Sequence, residues 1–111
     1  MLLCGIKVVM FDKTLHHPER VKIVSMLLTK EYSSFLEIKK ELTLSDGALA
    51  THTKNLDKAG YIKIEKFFEN NKPKTSYTLT QYGKDSFIQY LRSLQNFLDD
   101  EQMKNILKEN K

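Results

Sequence analysis

Between Leu42 and Thr80 the hydrophobic period changes from helical to alternating and back, and each change carries a residue that starts or stops an element. Leu42-Thr43-Leu44-Ser45 closes one helix and caps a second, because a serine side chain can accept from the backbone N–H groups left free at a helix start. That second helix runs from Asp46 to Ala59 and stops at Gly60, a residue at home in the left-handed geometry that ends helices. Ile62, Ile64 and Lys66 then alternate with Tyr61, Lys63 and Glu65, which predicts a half-buried strand to Phe68. Glu69-Asn70-Asn71-Lys72-Pro73-Lys74 follows as a polar, basic tip, and Thr75 to Leu79 returns with Tyr77 and Leu79 facing inward. Thr80 opens a long final helix. Helix, short turn, helix, hairpin, helix is thus written before composition is consulted.

Upstream, Pro18 suits a first helical turn, where its missing N–H costs nothing. Val21, Val24, Leu27 and Leu28 follow at helical spacing, with Ile23 and Met26 widening the stripe. Ser34-Phe35-Leu36-Glu37 matches a capping box, with Phe35, Ile38 and Leu42 on one face behind it. With 111 residues, 41% of them hydrophobic, one domain can bury about two-thirds of its unfolded surface. The net charge of +4 is unevenly spread. Residues 1–75 hold 13 basic and 9 acidic side chains, residues 76–111 five of each, so the excess lies on the helix pair and hairpin. Cys4 is the single cysteine, which rules out an intrachain disulfide, leaves a thiolate metal cluster without ligands and fits a reducing cytosol. Met1 to Met10 is apolar but interrupted by Lys7 and far shorter than a membrane span; it is expected to be an arm packed on the domain or on a second subunit.

Taking about 100° per residue from Leu49, Ser45, Thr53 and Leu56 fall on the side of the core. Gly47, Thr51, Lys54 and Lys58 lie opposite, flanked by Ala48, Ala50 and Asn55. This outer face is small at its start and cationic toward its end, so backbone could approach a groove while two ammonium groups reach phosphates. Solvated residues of this kind are ordinary on any helix; Gly47 is less so, since glycine inside a helix costs about 1 kcal/mol relative to alanine, a penalty that its first-turn place softens. His52 falls at the edge of the buried face, the place of a satisfied imidazole. Two readings stand for Lys72 and Lys74: contacts to a minor groove or its flanking phosphates, or charges that keep a hairpin edge soluble. Two also stand for the stripe of Phe87, Tyr90, Leu91, Leu94, Phe97 and Leu98: packing within the domain, or a subunit interface. Asp99-Asp100-Glu101-Gln102 breaks that stripe and could recap a short helix bearing Met103, Ile106 and Leu107.

Five short motifs occur in order: His17-Pro18-Glu19-Arg20, Leu44-Ser45-Asp46-Gly47-Ala48-Leu49, Leu56-Asp57-Lys58-Ala59-Gly60-Tyr61-Ile62, Lys72-Pro73-Lys74-Thr75 and Leu79-Thr80-Gln81-Tyr82-Gly83. Together they resemble the winged helix-turn-helix transcriptional regulators of the ArsR/MarR type, and among them the small winged helix DNA-binding domain group, over roughly Phe11 to Leu98. The resemblance implies an α+β, mainly α fold with a two-stranded β-wing and a long C-terminal helix for dimerisation. It divides the chain into an arm (1–15), a DNA-binding unit (16–80) and a dimerisation helix with tail (81–111). It implies a homodimer on a pseudo-palindromic operator, most simply a repressor, with helix 45–59 in the major groove and wing 66–75 on the flanking minor groove or backbone. By matching position, Gly47, Ala48, Ala50, Thr51 and Lys54 would approach bases or phosphates, and Lys72 and Lys74 would serve the wing. The residues add Asn55 and Lys58.

Relatives commonly carry leucine at the position of Thr53 and polar residues at those of Ala48 and Ala50. Base readout would then lean on Thr51, Asn55 and apolar contact with thymine methyls. Metal-sensing members carry paired cysteines near the recognition helix; this chain has none there, and no cofactor is expected. A winged helix can also serve as a protein-assembly module without DNA, but Gly47, Thr51, Lys54 and Lys58 offer a protein partner little apolar area. An enzyme is unsupported, since no nucleophile elbow, phosphate loop or metal-ligand spacing occurs, and adjacent His16-His17 do not make a metal site unaided.

Overall fold

The computed structural model describes residues 11–109; the expected arm of Met1–Met10, with Cys4, lies outside them. The elements are α1 (Pro18–Thr29), β1 (Ser33–Ser34), α2 (Phe35–Leu42), α3 (Asp46–Lys58), β2 (Ile62–Glu69), β3 (Lys72–Leu79), α4 (Gln81–Leu98) and α5 (Glu101–Glu109). Three of the helix starts are fixed by the expected side chains. Ser34 and Glu37 form a reciprocal capping box, at 3.1 and 3.0 Å. The Ser45 hydroxyl accepts from the Ala48 N–H at 3.1 Å, and that of Thr80 from Gly83 at 2.9 Å. Gly60 ends α3 at φ +82°. Thr43, between α2 and α3, is left-handed at φ 55°, an unusual state for a β-branched residue, and the Lys39 carbonyl accepts from the Thr43 and Leu44 N–H groups there.

The core joins every layer: Leu15 before α1, Ile23 and Val24 of α1, Ile38 of α2, Leu49 and Leu56 of α3, Ile62 and Tyr77 of the sheet, and Phe87 and Tyr90 of α4. Leu28, expected in the α1 stripe, is instead 37% exposed. Where α4 leaves the sheet, a Cβ on Gly83 would stand 2.0 Å from the Tyr61 carbonyl oxygen. Only glycine allows this approach, and it presses the first half of α4 onto the domain. Thr80 reinforces the joint, its hydroxyl lying 2.7 and 3.0 Å from the Gly60 and Tyr61 carbonyls.

The sheet is antiparallel, in the order β1-β3-β2. The hairpin is longer and its turn tighter than the sequence suggests. Strand pairing continues to Glu69 opposite Lys72, and the turn is only Asn70-Asn71, with φ 53° and 63°. Positive φ at both central residues marks a type I′ turn, whose twist matches that of the strands it joins. Lys72, Pro73 and Lys74, expected in the tip, therefore belong to β3. Proline is tolerated there for a geometric reason. Pairing alternates away from a two-residue turn, so Pro73 and Phe68 form a pair that exchanges no hydrogen bonds, and the proline nitrogen points to the open edge. β1 covers that edge only at Ser76 and Tyr77.

Candidate nucleic-acid interface

The side of α3 turned from the core is bare. Gly47, Ala50, Thr51, Lys54 and Lys58 are exposed, and Ala48 and Asn55 are half-buried beside them. A Cβ on Gly47 would meet nothing within 4 Å, so packing within the chain does not call for glycine here. The ion pairs among the described residues are Lys30–Glu37, Lys39–Asp46 and Lys63–Glu65; Lys54, Lys58, Lys66, Lys72 and Lys74 enter none of them. At 2.6 Å, Lys39 neutralises Asp46, the carboxylate in the first turn of α3. An exposed pair adds little stability, but it masks the one negative charge in that turn from an incoming anion. Asn55 is less free than its sequence position suggests. Its amide nitrogen donates to the Thr51 carbonyl at 2.9 Å, which leaves its oxygen for an outside donor.

The inner side of α3 is held at both ends. Thr53, where relatives commonly have leucine, is buried and sends its hydroxyl to the Leu49 and Ala50 carbonyls at 2.8 and 3.2 Å. The buried Tyr77 of β3 has its phenol pushed up by burial, with Thr53 acting against the shift. At the other edge, Arg20 of α1 donates from Nε to His52 Nδ1 at 3.2 Å and from its guanidinium to the Thr14 carbonyl at 3.2 Å. The His52 and His17 rings lie 4.5 Å apart. Burial, then His17, then Arg20 hold the His52 imidazole below its usual range. His16 turns the other way, to the Tyr90 hydroxyl at 2.9 Å, so the adjacent histidines of the sequence serve separate contacts. Tyr61 donates its phenol to Asp12 and is pushed up to about 12 by burial and by that carboxylate.

On the far side of the molecule, the stripe expected to meet a second subunit is divided. Phe87 and Tyr90 are 2% and 5% exposed within the single chain, which removes both from any interface. Leu94 is half-buried against the core, and Phe97 packs edge-on to Phe11 at 6.0 Å. Leu91 and Leu98 remain exposed. The helical period of the stripe was correct, but the Gly83 joint decides which part of it the chain itself covers. No helix among the described residues is long and apolar enough to cross a membrane.

A family model described as "winged helix DNA-binding domain" matches residues 20–98, from the start of α1 through the end of α4. The chain belongs to that family. An uncharacterised protein of Methanocaldococcus jannaschii, MJ0432, is 35% identical over 72 residues, covering 65% of this chain and 78% of that one. The solved structure of a transcriptional regulator homologue from Pyrococcus horikoshii superposes with a TM-score of 0.73 at 30% identity, covering 78% of this chain and 85% of the other. MarR superposes with a TM-score of 0.66 over 86% of this chain and 74% of its own, at 15% identity, a likeness of fold alone. The winged helix expected from the sequence motifs is the observed architecture: a three-helix unit, a hairpin wing and a long C-terminal helix.

Proposed function

We propose that this winged helix protein is a transcriptional repressor that binds a pseudo-palindromic operator as a homodimer. In this reading α3 enters the major groove. Gly47, Ala48 and Ala50 let its backbone approach, Thr51 and the free oxygen of Asn55 meet base edges, and Lys54 and Lys58 reach phosphates. Lys72 and Lys74 serve the wing. The observation that carries the reading is the outer face of α3: small, exposed, cationic, outside every ion pair of the described residues, and built around a glycine that the fold does not require. A protein partner would find little apolar surface there.

Dimerisation falls to the exposed residues of the C-terminal helix, Leu91 and Leu98, with Leu94 and Phe97 at their margin. Two recognition helices held in this way would meet half-sites about 34–36 Å apart, one turn of DNA. Selection of bound duplexes from a random pool tests the reading as a whole. Two half-sites at that spacing are expected; recovery of no enriched sequence sinks it. Lys54→Ala should weaken binding about tenfold at moderate salt and lower the salt slope by about one ion, since each phosphate contact releases roughly one counterion. An unchanged slope would remove Lys54 from the interface.

A further inference from the structure

The hairpin register sorts the wing into two unlike faces. Phe67, Glu69, Lys72 and Lys74 share one. Lys66, Phe68, Pro73 and Thr75 share the other, which continues the inward-facing row of Ile62, Ile64 and Tyr77 beyond the end of the core. Phe68 is 77% exposed, the highest value among the large hydrophobic side chains of the described residues, and it stands two residues from the turn. Its cross-strand partner is Pro73, a rigid ring that needs no hydrogen bond at this position. An isolated surface hydrophobe is ordinary. A phenyl ring backed by a pyrrolidine at the end of a tight ribbon is a shaped apolar edge.

We propose that Phe68, braced by Pro73, is a wedge that enters the DNA minor groove and leans between base pairs. The inference rests on the DNA-binding reading above and deepens it. Two arguments select DNA as the occupant. The first is charge: residues 66–75 contain Lys66, Lys72 and Lys74 against the single acid Glu69, and the Phe68 face carries a lysine and no acid. The second is size. Paired strands lie about 4.8 Å apart before side chains are added, while the minor groove is only about 6 Å wide. A two-stranded ribbon with its side chains is broader than an undeformed groove of that width, whereas a single side chain at its end is not. Phe68 therefore occupies the groove, and the three lysines contact the phosphate rims. Apolar wedges partly unstack a base step, so flexible pyrimidine–purine steps, TA above all, are the cheapest sites.

The chain contains no tryptophan, so Phe68→Trp installs a single indole reporter at the tip. Two duplexes of equal length serve as probes, one with central TA steps and one wholly G·C. The wild-type chain should prefer the TA duplex. Phe68→Ala should abolish that preference and bind the TA duplex about tenfold more weakly, with salt slope and thermal midpoint unchanged, because stacking and no cation is lost. The indole of Phe68→Trp should be quenched on the TA duplex, while that of Phe67→Trp, on the opposite face, stays bright. If the wild type binds DNA and Phe68→Ala matches it, or the Phe68→Trp emission does not move, the wedge is overturned and the DNA-binding reading survives. The same holds if Phe68→Ala changes only self-association by sedimentation. If the wild type binds neither duplex, both fall.

Discussion

The outer side of α3 and the margin of the apolar stripe of α4 are both left uncovered by the chain, yet their chemistry differs. On α3 the bare surface is Gly47, Ala50, Thr51, Lys54 and Lys58, small and cationic. On α4 it is Leu91 and Leu98, exposed at the margin of an apolar stripe whose opposite side is the polar Asp85, Gln89, Arg92 and Asn96. Each helix starts with a hydroxyl cap and buries one side in the same core. A cationic, sterically open face suits a polyanion, whereas an apolar face suits a like surface on another protein. Two helices built by the same local rules are thereby assigned to two kinds of partner.

The largest effect should separate the covered from the uncovered residues of the α4 stripe. Phe87→Ala empties a core position and should cost about 3–5 kcal/mol of unfolding free energy. Leu91→Ser, one turn along at the uncovered margin of the same stripe, should lower the unfolding midpoint of the monomer far less than Phe87→Ala while shifting sedimentation toward monomer. If Leu91→Ser destabilised the chain as Phe87→Ala does, the division of the α4 stripe into covered and uncovered residues would be broken.

A smaller effect should appear on α3, with opposite signs for stability and binding. Gly47→Ala meets no obstruction and, in the first turn of α3, gains part of the interior helix propensity, so chemical denaturation should show a gain of up to about 0.5 kcal/mol. The same methyl group stands where backbone would approach a base edge, and affinity for DNA should fall several-fold. A variant that gained stability and lost no affinity would show that glycine has no role in approach.

The smallest effect concerns the anchoring of α3 by α1. His52 is held below its usual value of 6.5 by burial, His17 and Arg20, so the folded chain takes up its proton less readily than the unfolded chain. Stability should therefore be undiminished above about pH 6.5 and decline as the pH falls from there toward the lower folded value, because the unfolded chain binds more protons in that window. His52→Gln should flatten this part of a pH titration of the unfolding midpoint. A slope equal to wild type would assign it to other groups.

How much was legible in the sequence follows from how local each cause is. The caps at Ser34, Ser45 and Thr80 and the stop at Gly60 are decided within a few residues and are found where expected. The alternation holds from Ile62 to Glu65, but Tyr61, expected opposite to Ile62, is buried beside it, and Lys66, expected inward, is exposed. The outer face of α3 was likewise legible, since helical period alone turns Gly47, Thr51, Lys54 and Lys58 away from Leu49 and Leu56. The hairpin was legible as a hairpin but not in length. Asn70-Asn71 could end a short loop or sit inside a long one, and only strand pairing extends the ladder to Glu69 and Lys72. That extension moved Lys72 and Lys74 into a strand and brought Phe68 to the tip.

Two features were decided by tertiary structure alone. The two-residue strand Ser33–Ser34 exists because β3 passes beside it. Phe87 and Tyr90 are core rather than interface because Gly83 lets α4 close onto the Tyr61 backbone. Periodicity states which residues share a face, because the helix alone sets that angle. It does not state what the face meets, because burial depends on distant segments arriving within a few ångströms.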